Sequence, residues 1–158
     1  MSTPICMWSG PRNLSTAMMR SFGSRADTCV WDEPFYAPYL AHTGAVHPGS
    51  AQTLAAHETD ARQVAARCLA PAPNGEAYVF QKHMPQHIHA DFPSAWMESC
   101  RHFFLLRDPD SVIASFAKGR PSFTLDELGF LAQAALYDRL IADGHHVPIV
   151  SSADILER

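Results

Sequence analysis

The start of the chain constrains the fold most, because an apolar strand pattern runs without a gap into a turn and a helix. Residues 5–8 read Ile-Cys-Met-Trp, which is typical of a short buried strand, and Ser9-Gly10-Pro11 follows at once as a turn. Apolar residues then recur at helical spacing from about residue 13 to Gly23. Free backbone N–H groups and the helix dipole converge at such a junction. The pattern therefore predicts an α/β fold with an anion-binding loop.

Further apolar runs have the length and composition of strands. They lie at residues 29–31, 78–80, 102–106 and 147–150, and helical patterns separate them. Such alternation implies parallel pairing with helices on both faces of the sheet, and ligands then bind beyond the carboxyl ends of the strands. We predict an α/β three-layer sandwich with a mostly parallel central sheet of about five strands.

The helices are predicted from apolar stripes and end signals. One helix is expected over residues 54–68, before Pro71, and another begins at Pro109, which suits a first helical turn. Thr124 and Glu127 have the spacing of a capping box. The stripe that follows predicts a long helix over residues 128–141, closed by Gly144.

The loop between the first strand and the first helix carries side chains suited to an anion. Arg12 can add a charge-assisted hydrogen-bond fork, and Ser15 and Thr16 can donate hydroxyl hydrogen bonds to the same oxygens. The two hydroxyls would equally serve as caps of the helix. The Walker A pattern is absent, because no Gly-Lys follows Gly10 at the required spacing, and this disfavours an ordinary ATPase.

Residues 11–16, Pro-Arg-Asn-Leu-Ser-Thr, resemble the Pro-Arg-Ser-Gly-Ser-Thr loop of the sulfotransferase family, whose fold is P-loop NTPase-like. In that family the loop holds the 5′-phosphosulfate of 3′-phosphoadenosine 5′-phosphosulfate (PAPS). The resemblance implies a donor-binding set of Gly10, Pro11, Arg12, Asn13, Leu14, Ser15 and Thr16. Leu14 stands where the family usually has glycine, so we expect its backbone not to take a positive φ freely and the loop to differ in shape.

A second segment, which begins at Arg107 and ends at Ser115, resembles the family's 3′-phosphate motif. In the family, an arginine and a serine at this separation bind the 3′-phosphate of the nucleotide, and the resemblance implies the same role for Arg107 and Ser115. The alternative is that Arg107 pairs with Asp108 or Asp110 at a surface turn while Ser115 merely lies on a helix.

Sulfuryl transfer requires charge stabilisation and a base, and it demands no metal. Residues 81–85, Gln-Lys-His-Met-Pro, resemble the family's Lys-Thr-His-Leu-Pro segment. The resemblance implies that His83 takes the acceptor's proton, and an unperturbed histidine pKa of about 6.5 suits that role. Lys82 sits one position later than the family lysine that steadies the leaving phosphate. His87 and His89 lie close by, so this His-rich loop could instead be a weak metal site or a solvated surface.

Glu33 is a rival base, because a carboxylate after the second strand would face the same cleft, and some carbohydrate sulfotransferases are thought to use glutamate. The segment Asp32-Glu33-Pro34-Phe35 could equally be a turn that fixes an aromatic lid. Phe35, Tyr36 and Tyr39 are candidates for the lining of an acceptor pocket, although aromatic residues at such spacing more often belong to the core.

Composition excludes several classes of function. A formal net charge of −4 gives no global attraction to nucleic acid or to an anionic membrane. The cysteines are scattered without a CxxC pair, which indicates neither a zinc site nor a thioredoxin motif. No stretch approaches the ~20 apolar residues of a bilayer span. We expect a cytoplasmic protein with no nucleic-acid or membrane partner, and a homodimer is possible.

The chain of 158 residues is expected to form a single domain. Sulfotransferases usually continue with a Gly-x-x-Gly-x-x-Lys loop that covers the nucleotide, and this sequence lacks it. Three possibilities follow: a fragment of a longer protein, a short active form that uses Arg120 or a partner chain, or a degenerate protein that binds nucleotide without transfer.

The resemblance thus implies a sulfotransferase that moves a sulfuryl group from PAPS to a hydroxyl or amine of a small acceptor, with PAPS as co-substrate and no metal. One alternative is a non-catalytic relative that binds a nucleotide or anion through the same loops. Another is a P-loop small-molecule kinase, which would need a Mg²⁺ site and a Walker lysine. Asp32 is a candidate ligand for that metal.

Overall fold

A parallel sheet of five strands forms the centre of the structure, a computed structural model that describes residues 1–119 and 122–157. The strands are β1 (Thr3–Ser9), β2 (Thr28–Asp32), β3 (Tyr78–His83), β4 (Arg101–Leu106) and β5 (Ile149–Ser151). Their spatial order is β2-β3-β1-β4-β5, and every pairing is parallel. The predicted fold class, an α/β protein with a parallel sheet of about five strands, is confirmed.

The strand register brings four chain segments to one edge of the sheet. Trp8 of β1 is opposite His83 of β3, and Ser9 is opposite Leu105 of β4. Asp32, the last residue of β2, is opposite Lys82. Because parallel strands share their direction, the segments that follow β1, β2, β3 and β4 all begin at this carboxyl edge.

Helices lie on both faces of the sheet. They are α1 (Ser15–Gly23), α2 (Tyr36–Thr43), α3 (Ser50–Ala56), α4 (Ala61–Cys68), α5 (Pro109–Ala117), α6 (Leu125–Leu128), α7 (Phe130–Ala142) and α8 (Ser152–Leu156). Two 3₁₀ turns, Pro85–His87 and Ala95–Ser99, connect β3 to β4. Among the described residues, no helix is long and apolar enough to cross a membrane.

Two of the predicted helices are interrupted. The segment predicted as one helix over residues 54–68 forms α3 and α4, because the Asp60 side chain accepts a hydrogen bond from the Arg62 N–H and starts a new helix there. The capping box of Thr124 and Glu127 is present, but it caps the short α6. Gly129, with φ of 73°, then ends α6 before the long α7.

The core divides between the two sheet faces, because successive residues of a strand point to opposite sides. Met7, Phe80 and Leu105 face α1 and pack against its Met18 and Phe22. The opposite face buries a larger cluster that includes Trp8, Phe35, Trp96 and Phe104 together with residues of α4 and α7. Helix layers therefore cover both faces of the sheet, as the three-layer prediction requires.

Candidate functional site

The loop between β1 and α1 has an unusual backbone. Arg12 and Leu14 both lie in the left-handed region, with φ values of 65° and 64°. The expectation that Leu14 would stay out of this region because it is not glycine is wrong. A non-glycine residue pays roughly 1–2 kcal/mol for this conformation, so contacts elsewhere in the loop must hold it. The Leu14 carbonyl accepts the first hydrogen bond of α1, from the Met18 N–H at 3.1 Å.

Asn13 supplies those contacts by turning its side chain inward. It is 1% exposed, and its Nδ2 donates to the Leu105 carbonyl at 3.1 Å. Ser152, the first residue of α8, donates its hydroxyl to the carbonyls of Asn13 at 3.1 Å and Leu106 at 2.8 Å. The loop is therefore tied to the end of β4. Of the predicted loop residues, Asn13 fixes the backbone, whereas the side chains of Arg12 and Thr16 are exposed.

Gly10 lies in close contact with the segment at the start of α7. A Cβ atom there would lie 2.5 Å from Gln133 Nε2 and 3.1 Å from the Leu128 carbonyl oxygen. Gln133 is 4% exposed, and its Nε2 donates to the Gly129 carbonyl at 3.3 Å, so it is not free to move away. Position 10 therefore requires glycine, because Gln133 and the Leu128 carbonyl leave no space for a side chain.

Replacing Gly10 by alanine is expected to lower the free energy of unfolding by about 1–3 kcal/mol, because the added methyl group overpacks this contact. Chemical denaturation monitored by circular dichroism measures the change. Gly119→Ala is the matched control, since its Cβ would meet no atom closer than the Phe116 carbonyl oxygen at 3.8 Å, and it should change stability by no more than about 0.5 kcal/mol. Equal losses in both variants would contradict the packing argument.

The second predicted motif meets the first in space. Arg12 Nε donates to Ser115 Oγ at 3.0 Å, although the two residues are separated by 103 positions in the chain. Arg107 Nη1 donates to the Arg12 carbonyl at 2.9 Å. Arg12 and Ser115, with Phe116 and Gly119, border a small cavity of about 220 Å³. The structure therefore brings together the groups predicted to hold two separate phosphates.

The alternative ion pair of Arg107 is not formed. Asp108 instead caps α5, because its carboxylate accepts the Ser111 N–H at 2.9 Å, and this hydrogen bond is the main reason that the pKa of Asp108 is lowered. In the described part of the chain, Arg107 makes no salt bridge with Asp108 or Asp110. Arg120, the other predicted cation, lies outside the described residues.

Lys82 and two acidic residues form a cluster at the ends of β2 and β3. Lys82 Nζ is 2.7 Å from Asp32 Oδ1 and 2.6 Å from Glu33 Oε1. Burial by itself would lower the pKa of Lys82, but the nearby Glu33 and Asp32 carboxylates outweigh it and raise the pKa above its usual value. Lys82 therefore stays charged, and it holds the Glu33 carboxylate in one orientation.

Glu33 has a left-handed backbone conformation and lines a cavity. Its φ is 46°, and its N–H donates to the Lys82 carbonyl at 2.9 Å. The cavity measures about 450 Å³, and its lining includes Glu33, Pro11, Tyr36, Tyr39, Met84 and His87. Because Pro11 belongs to the phosphate loop, the Glu33 carboxylate shares this cavity with that loop.

His83 lies elsewhere, within the core. It is 1% exposed, its ring stacks on Trp8 at 4.6 Å between centroids, and its Nε2 is 3.1 Å from Gln81 Oε1. Burial, together with the neighbouring His102, His87 and Lys82, lowers the pKa of His83 to about 3. Of the three predicted catalytic residues, Lys82 contacts Glu33, and Glu33 lines the cavity. His83 points to the opposite side of β3.

His87 is a cavity residue whose position sequence reasoning missed. Its ring lies 4.9 Å from those of both Tyr36 and Tyr39, and its Nδ1 is 3.9 Å from Glu33 Oε2. Burial, with His47 and Lys82 nearby, lowers its pKa to about 3. Only the proline that starts the 3₁₀ turn before His87 could have indicated this inward orientation. Phe35, by contrast, is 1% exposed and belongs to the core.

Comparison with known proteins identifies relatives of the chain. A family model described as "Sulfotransferase domain" matches residues 3–156. The chain is also 36% identical, over 154 residues, to "Branched-chain-amino-acid aminotransferase-like protein 2" and to "Branched-chain-amino-acid aminotransferase-like protein 1" of Arabidopsis thaliana. Each match covers 98% of this chain and 27% of the relative. The chain therefore spans about a quarter of the length of these two relatives.

Proposed function

The chain belongs to the sulfotransferase family, and we propose that it transfers the sulfuryl group of PAPS to a hydroxyl or amine of a small acceptor. The observation that carries the proposal is the contact between Arg12 and Ser115, at 3.0 Å, because it joins the two loops that the donor's phosphates require. Phosphate and sulfate oxygens are bound well by arginine forks and by N–H groups at a helix N-terminus.

The proposed donor site divides between the two loops. The backbone between Gly10 and Ser15, at the N-terminus of α1, would bind the 5′-phosphosulfate with help from Arg12. Arg107 and Ser115 would bind the 3′-phosphate. The bond from Arg107 to the Arg12 carbonyl couples the two halves, so that one arginine positions the loop that carries the other.

The proposed base is Glu33, since it lines the cavity that borders the phosphate loop, whereas His83 is enclosed in the core. Glu33 would accept the proton from the acceptor's hydroxyl or amine as that atom attacks sulfur. The bond between sulfur and the phosphate oxygen then breaks, and adenosine 3′,5′-bisphosphate leaves. Lys82 would act as a positioning residue that holds the Glu33 carboxylate through Oε1 and leaves Oε2 toward the cavity.

Binding of adenosine 3′,5′-bisphosphate tests the donor site directly. We expect calorimetry to show a clear preference for this nucleotide over AMP, which lacks the 3′-phosphate, and over ATP, which tests generic nucleotide affinity. Binding of none of the three would overturn the proposed donor site. Equal affinity for AMP and the bisphosphate would overturn the assignment of Arg107 and Ser115.

Replacing Arg107 by alanine is expected to weaken bisphosphate binding by about 10- to 150-fold, because charge-assisted hydrogen bonds contribute about 1.5–3 kcal/mol. AMP affinity should change less. Arg101→Ala is the matched control, since Arg101 begins the strand that Arg107 follows and therefore lies at its opposite end. Bisphosphate affinity that survives in Arg107→Ala would contradict the assigned role.

A second candidate is a non-catalytic relative that binds the nucleotide without transfer. The burial of His83 and the engagement of Lys82 by two carboxylates favour it, because neither side chain meets the donor loop in the described structure. Nucleotide binding without consumption of PAPS across an acceptor screen would support this candidate. No observation favours the kinase alternative, and the single-domain organisation, the cytoplasmic location and the homodimer stay predictions.

A further inference from the structure

Three potential metal ligands from distant parts of the chain converge outside the proposed donor and acceptor residues. They are His42 in the last turn of α2, and His89 and Asp91 in the segment between the two 3₁₀ turns. One ligand atom of each residue lies within 4.8 Å of the others. A weak metal site in the loop of His87 and His89 was one prediction from the sequence. In the structure, His87 is buried and His42 lies beside His89.

The spacing of these atoms fits shared coordination better than hydrogen bonding. His42 Nε2 and His89 Nδ1 lie 3.6 and 3.4 Å from the same oxygen, Asp91 Oδ2. An N–H···O hydrogen bond has a length of roughly 2.7–3.2 Å, so both contacts are too long for one. Two ligand atoms that bind zinc tetrahedrally at about 2.0–2.1 Å are separated by about 3.3 Å. The observed distances are close to that separation.

Aromatic contacts and one backbone hydrogen bond hold the two imidazole rings beside each other. The two rings lie 4.0 Å apart between centroids, and Phe92 contacts both, at 5.4 Å from His42 and 5.8 Å from His89. The Asp91 N–H donates to His89 Nδ1 at 3.2 Å. This hydrogen bond uses the lone pair of Nδ1, which is the same lone pair that would bind a metal ion. An ion would take the place of the N–H at that lone pair.

We propose that His42, His89 and Asp91 bind a divalent transition-metal ion of the zinc class. Two imidazole nitrogens and one carboxylate suit such an ion, whereas Mg²⁺ and Ca²⁺ prefer oxygen ligands alone. His42 and Asp91 are exposed, so water can complete the coordination. The ion would join α2 to the segment that follows β3 and so stabilise the wall of the cavity that carries Tyr36 and Tyr39. It takes no part in sulfuryl transfer.

The test is a Zn²⁺ titration by calorimetry of tag-free protein from which metals have been removed by a chelator. We expect one ion per chain and a raised melting temperature, with no response to Mg²⁺. Co²⁺ should give the visible absorption of a site with nitrogen ligands. His42→Ala and Asp91→Asn should each lower the Zn²⁺ affinity at least about tenfold, since even the loss of a group that only supports a ligand has an effect of that size.

His146→Ala is the matched control, because His146 is an exposed histidine outside the cluster. The Zn²⁺ affinity of this variant should equal that of the wild type. Far-UV circular dichroism verifies that each variant folds, and Asp91→Asn, which preserves the shape of the side chain, decides the matter if His42→Ala does not fold. The proposal is overturned if the wild type binds no Zn²⁺, or if Asp91→Asn binds it as tightly as the wild type does.

Discussion

Glu33→Gln is expected to lower the rate of sulfuryl transfer by about 10²- to 10⁴-fold, the usual contribution of a general base. The amide has nearly the same shape as the carboxylate, and its oxygen can still accept from Lys82 Nζ, which lies 2.6 Å from Glu33 Oε1. It cannot accept the acceptor's proton. The affinity for adenosine 3′,5′-bisphosphate should therefore stay unchanged while PAPS turnover with an active acceptor falls.

Glu98→Gln serves as the control for this experiment, because Glu98 is an exposed glutamate in the 3₁₀ turn before β4. It should retain full turnover. Full turnover in Glu33→Gln would remove Glu33 from the mechanism. Loss of bisphosphate binding along with turnover would show instead that Glu33 supports the structure of the donor site.

The second large effect is a loss of stability in acid that depends on His83. Burial holds the pKa of His83 near 3 in the folded protein, whereas an exposed histidine in the unfolded chain has a pKa of about 6.5. Between these values the unfolded state binds more protons, so the free energy of unfolding falls as pH falls below 6.5. One such group contributes about 1.4 kcal/mol for each pH unit, or roughly 3 kcal/mol between pH 6 and 4.

His83→Gln isolates this contribution, because glutamine does not titrate and can still donate to Gln81 Oε1, the present partner of His83. Urea denaturation at several pH values should show that the free energy of unfolding falls less steeply with pH in the variant than in the wild type. Between pH 6 and 4, the difference in slope should correspond to close to one proton. The other groups that face His83 are His102, His87 and Lys82, and they remain in both proteins. His146→Gln controls for an exposed histidine. An unchanged acid slope in His83→Gln would show that His83 titrates freely.

Much of the architecture was predictable because it depends on short-range patterns. The apolar run before Ser9, the capping box of Thr124 and Glu127, and the closing Gly144 are all signals that extend over a few residues. Their physical basis is local as well: Gly144 has φ of 86°, and the Thr124 hydroxyl accepts the Glu127 N–H. Alternation of such elements then limited the sheet to parallel pairing.

Helix α2 was not predicted, because its segment carries an aromatic cluster with no clear stripe and no side-chain cap at its start. The left-handed backbone of Leu14 was missed for a related reason. Leucine does not favour that conformation, and the inward hydrogen bond of Asn13 that holds the loop reaches a carbonyl on β4, far along the chain.

The sequence by itself determined where the five strands lie along the chain, the position of the anion loop and the types of residue at the carboxyl edge of the sheet. Tertiary structure alone decided which of those residues meet. Lys82 and His83 are neighbours in the chain, but successive strand residues point to opposite faces, so one reaches Glu33 and the other stacks on Trp8. The contact between Arg12 and Ser115 likewise depends on β1 and β4 being adjacent, which local spacing does not specify.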